Sequence, residues 1–113
     1  MINTEIINNI VIASFVNTTS INVLVSERAK DELKLQYAQP NTKLVLDLDG
    51  ISFIDSSGFG IFISIMKVAN NTNGYFKICN INSKVLELFK LLQLHNILEI
   101  YNCREEALES FIQ

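Results

Sequence analysis

Residues Leu44 to Met66 read LVLDLDGISFIDSSGFGIFISIM, and this run decides the fold. With Lys43 before it, the stretch to Leu48 is short, mostly apolar and closed by Asp49-Gly50, the pattern of a buried central strand. A tight turn and an apolar step from Ile51 to Ile54 follow, and then Asp55-Ser56-Ser57-Gly58 opens a helix expected over Gly58 to Ala69. Asp55 or Ser56 suits the N-cap, because a short oxygen-bearing side chain accepts an unpaired amide of the first turn. Ser57 falls in or beside that turn, at the carboxyl end of a sheet, the edge where open α/β folds engage ligands and partners. A hydroxyl there serves capping alone, or it is a site of phosphorylation. A helix N-terminus tolerates an added anion through its free amides and dipole. Asp55 and any acidic partner would then feel about two new negative charges.

Working outward, Glu5 to Phe15 is rich in β-branched residues and interrupted by Asn8-Asn9, which predicts two short strands in a hairpin. From Ser20, apolar Ile21, Val25, Ala29 and Leu33 recur every fourth residue, an amphipathic helix ended by Pro40. After Asn73-Gly74, Tyr75 to Cys79 reads as a strand. Asn82 or Ser83 then caps a third helix with Val85, Leu88, Phe89 and Leu92 on one face. Ile97 to Tyr101 is a last short strand, and Asn102 with Glu105 forms a capping-box pattern for a terminal helix through Phe111. The order β-β-α-β-α-β-α-β-α is α/β: one mixed central sheet of about five strands with helices packed against it, and the opening hairpin as antiparallel edge.

The 113 residues fit one domain spanning 1–113, and 49% hydrophobic against 19% charged content argues for a packed core rather than disorder. A net charge of -3 excludes a nucleic-acid binder working through clustered Lys and Arg. Cys79 and Cys103 have neither metal-ligand nor redox spacing and read as free thiols. Met1 to Phe15 carries Glu5 and no basic residue, unlike a secretory signal, and no apolar run is long enough for a bilayer. The expectation is a cytoplasmic protein with no membrane or nucleic-acid partner, in which the Asn17 and Asn70 glycosylation sequons are chance. No cofactor or metal is expected. His95 has no ligand-spaced neighbours, and turn or cap roles suit Asp47 and Asp49 better than Mg²⁺.

The helix after Ser57 is apolar on two sides. Phe59, Phe62, Ile63 and Met66 share one face, suited to the sheet, and Ile61, Ile65 and Val68 lie opposite, near Ser57, Ser64 and Lys67. Either another helix covers this second stripe, or Ile61, Ser64, Ile65 and Val68 form a partner-binding surface with the serine at its top.

DLDGISFIDSSGFG resembles the signature of STAS domains of the anti-sigma-factor antagonist type: a strand ending in Asp-x-x-Gly, a hydrophobic step, then Asp-Ser-Ser-Gly-Leu-Gly, here with Phe59 for Leu. The likeness runs from Lys43 to Phe111 through Gly74-Tyr75-Phe76-Lys77-Ile78, Leu92-Gln93-Leu94, Ile97-Leu98-Glu99-Ile100-Tyr101 and Glu105-Glu106-Ala107-Leu108. Where the family often has Gly-x-Leu-Asp after its second strand, this chain reads Ser14-Phe15-Val16-Asn17. The resemblance implies a non-enzymatic switch in a bacterial partner-switching circuit. Unphosphorylated, it binds an anti-sigma factor that is also a serine protein kinase; phosphorylation of Ser57, set within Asp55, Ser56 and Gly58, releases it, and a metal-dependent serine phosphatase resets it. The alternative within the same fold is an accessory subunit of a larger signalling or lipid-transport assembly, not regulated by phosphorylation. A Ser57-nucleophile enzyme would need a base, and His95 is the one histidine, outside any Gly-x-Ser-x-Gly elbow.

Overall fold

In the computed structural model, which describes residues 1–112, the Asn8-Asn9 pair takes left-handed φ angles of 51° and 66°. Two such residues close the tight two-residue turn whose twist matches that of flanking strands. Ile7 therefore faces Ile10, and β1 (Ile2–Ile7) runs antiparallel to β2 (Ile10–Phe15) as the sequence predicts. β4 (Lys43–Asp47), β6 (Tyr75–Cys79) and β7 (Glu99–Tyr101) add in parallel, giving a five-stranded mixed sheet in the order β1-β2-β4-β6-β7.

Alternation along β4 divides the core. Leu44 and Leu46 point toward one face, where α1 (Val23–Leu35), α2 (Ser56–Asn71) and α3 (Ser83–Leu91) bury Ala29, Leu33, Phe62 and Phe89. Val45 points to the other, among Ile10, Ile12, Cys79 and Ala107, under α4 (Arg104–Glu109). Burial on both faces is why β4 reads as an unbroken apolar run rather than an alternation. Phe59, Phe62 and Phe89 meet as an aromatic cluster with ring centroids 5.2 to 6.3 Å apart, locking α2 to α3.

Several boundaries differ from expectation, each for a local reason. The first helix starts at Val23, not Ser20, because Asn22 is its cap and accepts the Leu24 amide at 3.0 Å. Ser20–Ile21 instead forms β3, a two-residue parallel pair with β5 (Phe53–Ile54). The helix also ends at Leu35, ahead of Pro40. In α3, capped by Asn82, Val85 and Phe89 are buried, but Leu88 and Leu92 are 39% and 53% exposed. Leu92 lies past the last helical turn, where Gln93 adopts a left-handed φ of 59°. A 3₁₀ turn at Leu94–Asn96 takes up the approach to β7. The Asn102–Glu105 capping box does not form: the Asn102 amide donates to a Glu106 carboxylate oxygen at 3.3 Å, and the helix stops at Glu109.

Candidate functional site

α2 begins where β5 ends, and the two-stranded β3–β5 pair fixes that start. The Ser52 amide donates to the Thr19 carbonyl at 2.7 Å, and the Asp55 amide to the Ile21 carbonyl at 3.1 Å. The N-termini of α1 and α2 are thereby held side by side. Asp55, in extended conformation at φ −91° and ψ −175°, is the N-cap of α2. Its Oδ1 accepts the Ser57 amide at 2.9 Å and the Gly58 amide at 3.1 Å, satisfying two donors that have no partner within the helix. The Ser57 hydroxyl donates to the same oxygen at 2.5 Å. That hydroxyl first, then the Gly58, Ser57 and Val23 amides, hold the Asp55 carboxyl below its ordinary value against a smaller opposing effect of desolvation. Ser56, a candidate for the cap, is exposed at the first helical position and caps nothing among the described residues.

Gly58 is required by packing. A Cβ there would lie 2.5 Å from Ile54 Cγ2 and 3.0 Å from the Ile21 carbonyl oxygen, so the bare backbone lets α2 seat against β3 and β5. Ser57 is half-buried and opens into a groove of about 280 Å³ between α1 and α2. Val23, Glu27 and Lys30 line it from α1, and Gly60 and Ser64 from α2. Lys30 Nζ sits 3.0 Å from Glu27 Oε1, so the cation beside the groove is already paired.

The stripe Ile61, Ser64, Ile65, Val68 is not an exposed partner surface. Ile61 is 2% and Ile65 0% exposed, and half-buried Val68 packs on the same core. The reason is tertiary: α1 lies along α2 and its Ala29 and Leu33, both fully buried, cover that side. Of the four residues only Ser64 lines the open groove without being part of the core. The face meant for the sheet divides likewise, with Phe59 and Phe62 buried and Ile63 and Met66 half-buried.

The other chemically suggestive residues resolve into structural roles. His95 is exposed in the 3₁₀ turn and is not a partner of the Ser57 hydroxyl, which is bonded to Asp55. Asp47 closes the turn after β4 by accepting the Asp49 amide at 2.9 Å, and also accepts from Asn80 at 2.9 Å. Arg104 of α4 reaches the same carboxylate through Nη2 at 2.9 Å and continues to Glu5 of β1. The sequence gives no sign of this three-part ion cluster, because its members come from distant segments. Lys77, 5% exposed, points under α4, its Nζ 3.9 Å from the Phe111 ring centre and donating to Ser110 at 2.6 Å. Both cysteines are free, and burial, seconded by the Asp47 charge, pushes the Cys79 thiol up to about 12. Among the described residues, no group of three or more His, Cys, Asp or Glu could hold a metal ion, and no helix is long and apolar enough to cross a membrane.

Known proteins share this architecture. An anti-sigma F factor antagonist of Paenibacillus polymyxa is 34% identical over 65 residues, 58% of this chain and 56% of its own length. The chain spans 59% of the length of two further curated relatives, from Thermotoga. Among solved structures, an anti-sigma-factor antagonist (STAS) domain protein from Planctomyces limnophilus superposes with a TM-score of 0.91 at 17% identity, over 99% of this chain and 98% of that one. The Bacillus cell fate determinant SpoIIAA in its phosphorylated form superposes with a TM-score of 0.68 at 17% identity, over 98% and 99%. The STAS domain model matches residues 1–107, nearly the whole described fold, and the chain belongs to the STAS domain family.

Proposed function

We propose that this protein is an anti-sigma-factor antagonist of a bacterial partner-switching pathway. With Ser57 unmodified it binds an anti-sigma factor that is also a serine kinase; with Ser57 phosphorylated it is released, and a metal-dependent serine phosphatase restores the hydroxyl. The observation that carries this reading is the Ser57 hydroxyl at the first turn of α2, open to the groove and held by Asp55. In the modification, Ser57 Oγ attacks the γ-phosphorus of ATP, ADP departs and the hydroxyl proton is lost. The amides at the start of α2 accommodate the new anion, so the domain need not unfold. The interface does not accommodate it: about two negative charges appear beside the Asp55 carboxylate where a partner must sit, and about 3 kcal/mol of repulsion and desolvation lowers affinity roughly hundredfold. The protein is in this reading a ligand and a substrate, not a catalyst. The name of the Paenibacillus relative and the phosphorylated form of a protein of this fold support it.

Mass spectrometry of the protein from its native cells is expected to map phosphate to Ser57. Ser57→Ala is expected to abolish phosphorylation by the kinase while leaving the melting temperature and kinase binding intact. Stoichiometric phosphate uptake by Ser57→Ala would refute the assignment.

A further inference from the structure

We propose that β1 is a self-association edge, through which two copies of this chain pair antiparallel about a twofold axis at Thr4 and join their sheets into one. In a hairpin with a two-residue turn, the residues flanking the turn, here Ile7 and Ile10, exchange both backbone hydrogen bonds. Alternation along the ladder then points the amides and carbonyls of Asn3, Glu5 and Ile7 at β2. The Val16 amide, which donates to the Met1 carbonyl at 2.8 Å, continues that phase. Ile2, Thr4 and Ile6 direct their amides and carbonyls away from β2, toward the open side of the sheet. Natural sheets protect such an edge by shortness, proline, lysine or a bulge. The opposite edge, β7, is three residues long. β1 has six residues in unbroken register with β2, no proline and no basic residue, and its one charge, Glu5, is already paired with Arg104.

A second copy is the occupant because the strand, Ile2-Asn3-Thr4-Glu5-Ile6, is complementary to itself. With Thr4 on the axis, Ile2 of each copy faces Ile6 of the other, Asn3 faces Glu5, and the two Thr4 residues face each other. The isoleucine and threonine pairs lie on the helix side of the sheet, and each exchanges both of its hydrogen bonds. On the other side each Glu5 carboxylate meets an Asn3 amide, so no like charges are opposed. Moving the register toward the turn by one pair of residues would set Glu5 against Glu5, and moving it the other way would leave Ile6 without a partner. The helix side has room for the contact. Ile2 packs on the core, but Thr4 is exposed and Ile6 is 73% exposed, so α1 does not reach over the edge there. No residue of β1 lines the groove beside Ser57, so this inference is separate from the functional reading above.

Sedimentation of the wild type across a concentration series is expected to show the mean mass rising from 12.8 kDa toward twice that value. Thr4→Pro removes one outward amide and spares every bond to β2, because proline is tolerated on an edge strand where its nitrogen faces away from the sheet. It is expected to stay monomeric, with a melting temperature within about 3 °C of the wild type. Thr4→Lys and Thr4→Glu each set like charges face to face on the axis and are each expected to weaken the dimer about tenfold or more. An equal mixture of the two is expected to recover association as a heterodimer, which a merely structural role of Thr4 would not produce. This mixture decides the matter even where Thr4→Pro fails to fold. A wild type that stays monomeric throughout, a folded Thr4→Pro that still dimerises, or a mixture that does not reassociate would overturn the proposal. Association lost in Leu91→Ser, at a bare apolar position on α3 (77% exposed), and kept in Thr4→Lys would place the contact on α3 and overturn it as well.

Discussion

Oδ1 of Asp55 accepts hydrogen bonds from the amides of Ser57 and Gly58 and from the Ser57 hydroxyl, so a single carboxylate oxygen both starts α2 and orients the hydroxyl we propose as the phosphoacceptor. These two roles separate by substitution. Asp55→Ala removes the cap and should cost about 1 kcal/mol in urea denaturation, whereas Asp55→Asn keeps a side chain of equal capping strength and should cost a few tenths at most. A large loss in Asp55→Asn would mean that the charge, not the cap, holds the turn. Ser57 itself contributes little to the fold, since it is a donor to Asp55 rather than the cap. The same reasoning explains why Ser57→Ala should be a clean test of function.

At the scale of elements, α1 lying on α2 sets what the helix that carries Ser57 can present. Both long sides of α2 are apolar, and a helix apolar all round is covered on both sides. Ile65 is fully buried, so Ile65→Ser should lower stability by roughly 2–5 kcal/mol, with binding falling only in proportion to the unfolded fraction. Unchanged stability with weakened binding would return Ile65 to the surface. Gly58→Ala tests the contact at the start of the same helix. A methyl group 2.5 Å from Ile54 Cγ2 forces α2 away from β5, an overpacking cost of about 1–3 kcal/mol seen as an earlier urea midpoint.

Across the whole molecule, Arg104 ties α4 to β4 through Asp47, 57 residues away, and to β1 through Glu5, 99 residues away. Burial opposes the Asp47 charge, but the Asn80 side chain, the Asp49 amide and Arg104 together outweigh it and hold the carboxyl below its ordinary value. A depressed carboxyl contributes stability that is complete above its unfolded value of about 3.9 and is lost as pH falls through the lower folded value. Stability measured by urea denaturation should therefore fall below about pH 4, and Asp47→Asn should be less stable at neutral pH with a shallower acid slope. An unchanged slope in Asp47→Asn would place the acid-sensitive group elsewhere.

Local chemistry determined much of this protein. The Asn8-Asn9 hairpin, the unbroken apolar β4, the serine at the start of a helix behind it and the α/β order are all legible in the chain, because turn propensity, capping and periodicity act over a few residues. The two-residue β3–β5 pair was not legible, since so short a ladder has no period of its own and exists only because α1 and α2 begin side by side. Nor was the fate of the Ile61–Ile65 stripe. Helical projection establishes which residues share a face, but whether that face meets water or another helix is decided by where α1 packs. The Asp47–Arg104–Glu5 cluster is of the same kind, a long-range pairing of charges that no window of sequence contains. That Val23 and Gly60 stay open around the groove that Ser57 lines was likewise settled by tertiary packing, for an open space over a glycine is defined by the neighbours that are not there.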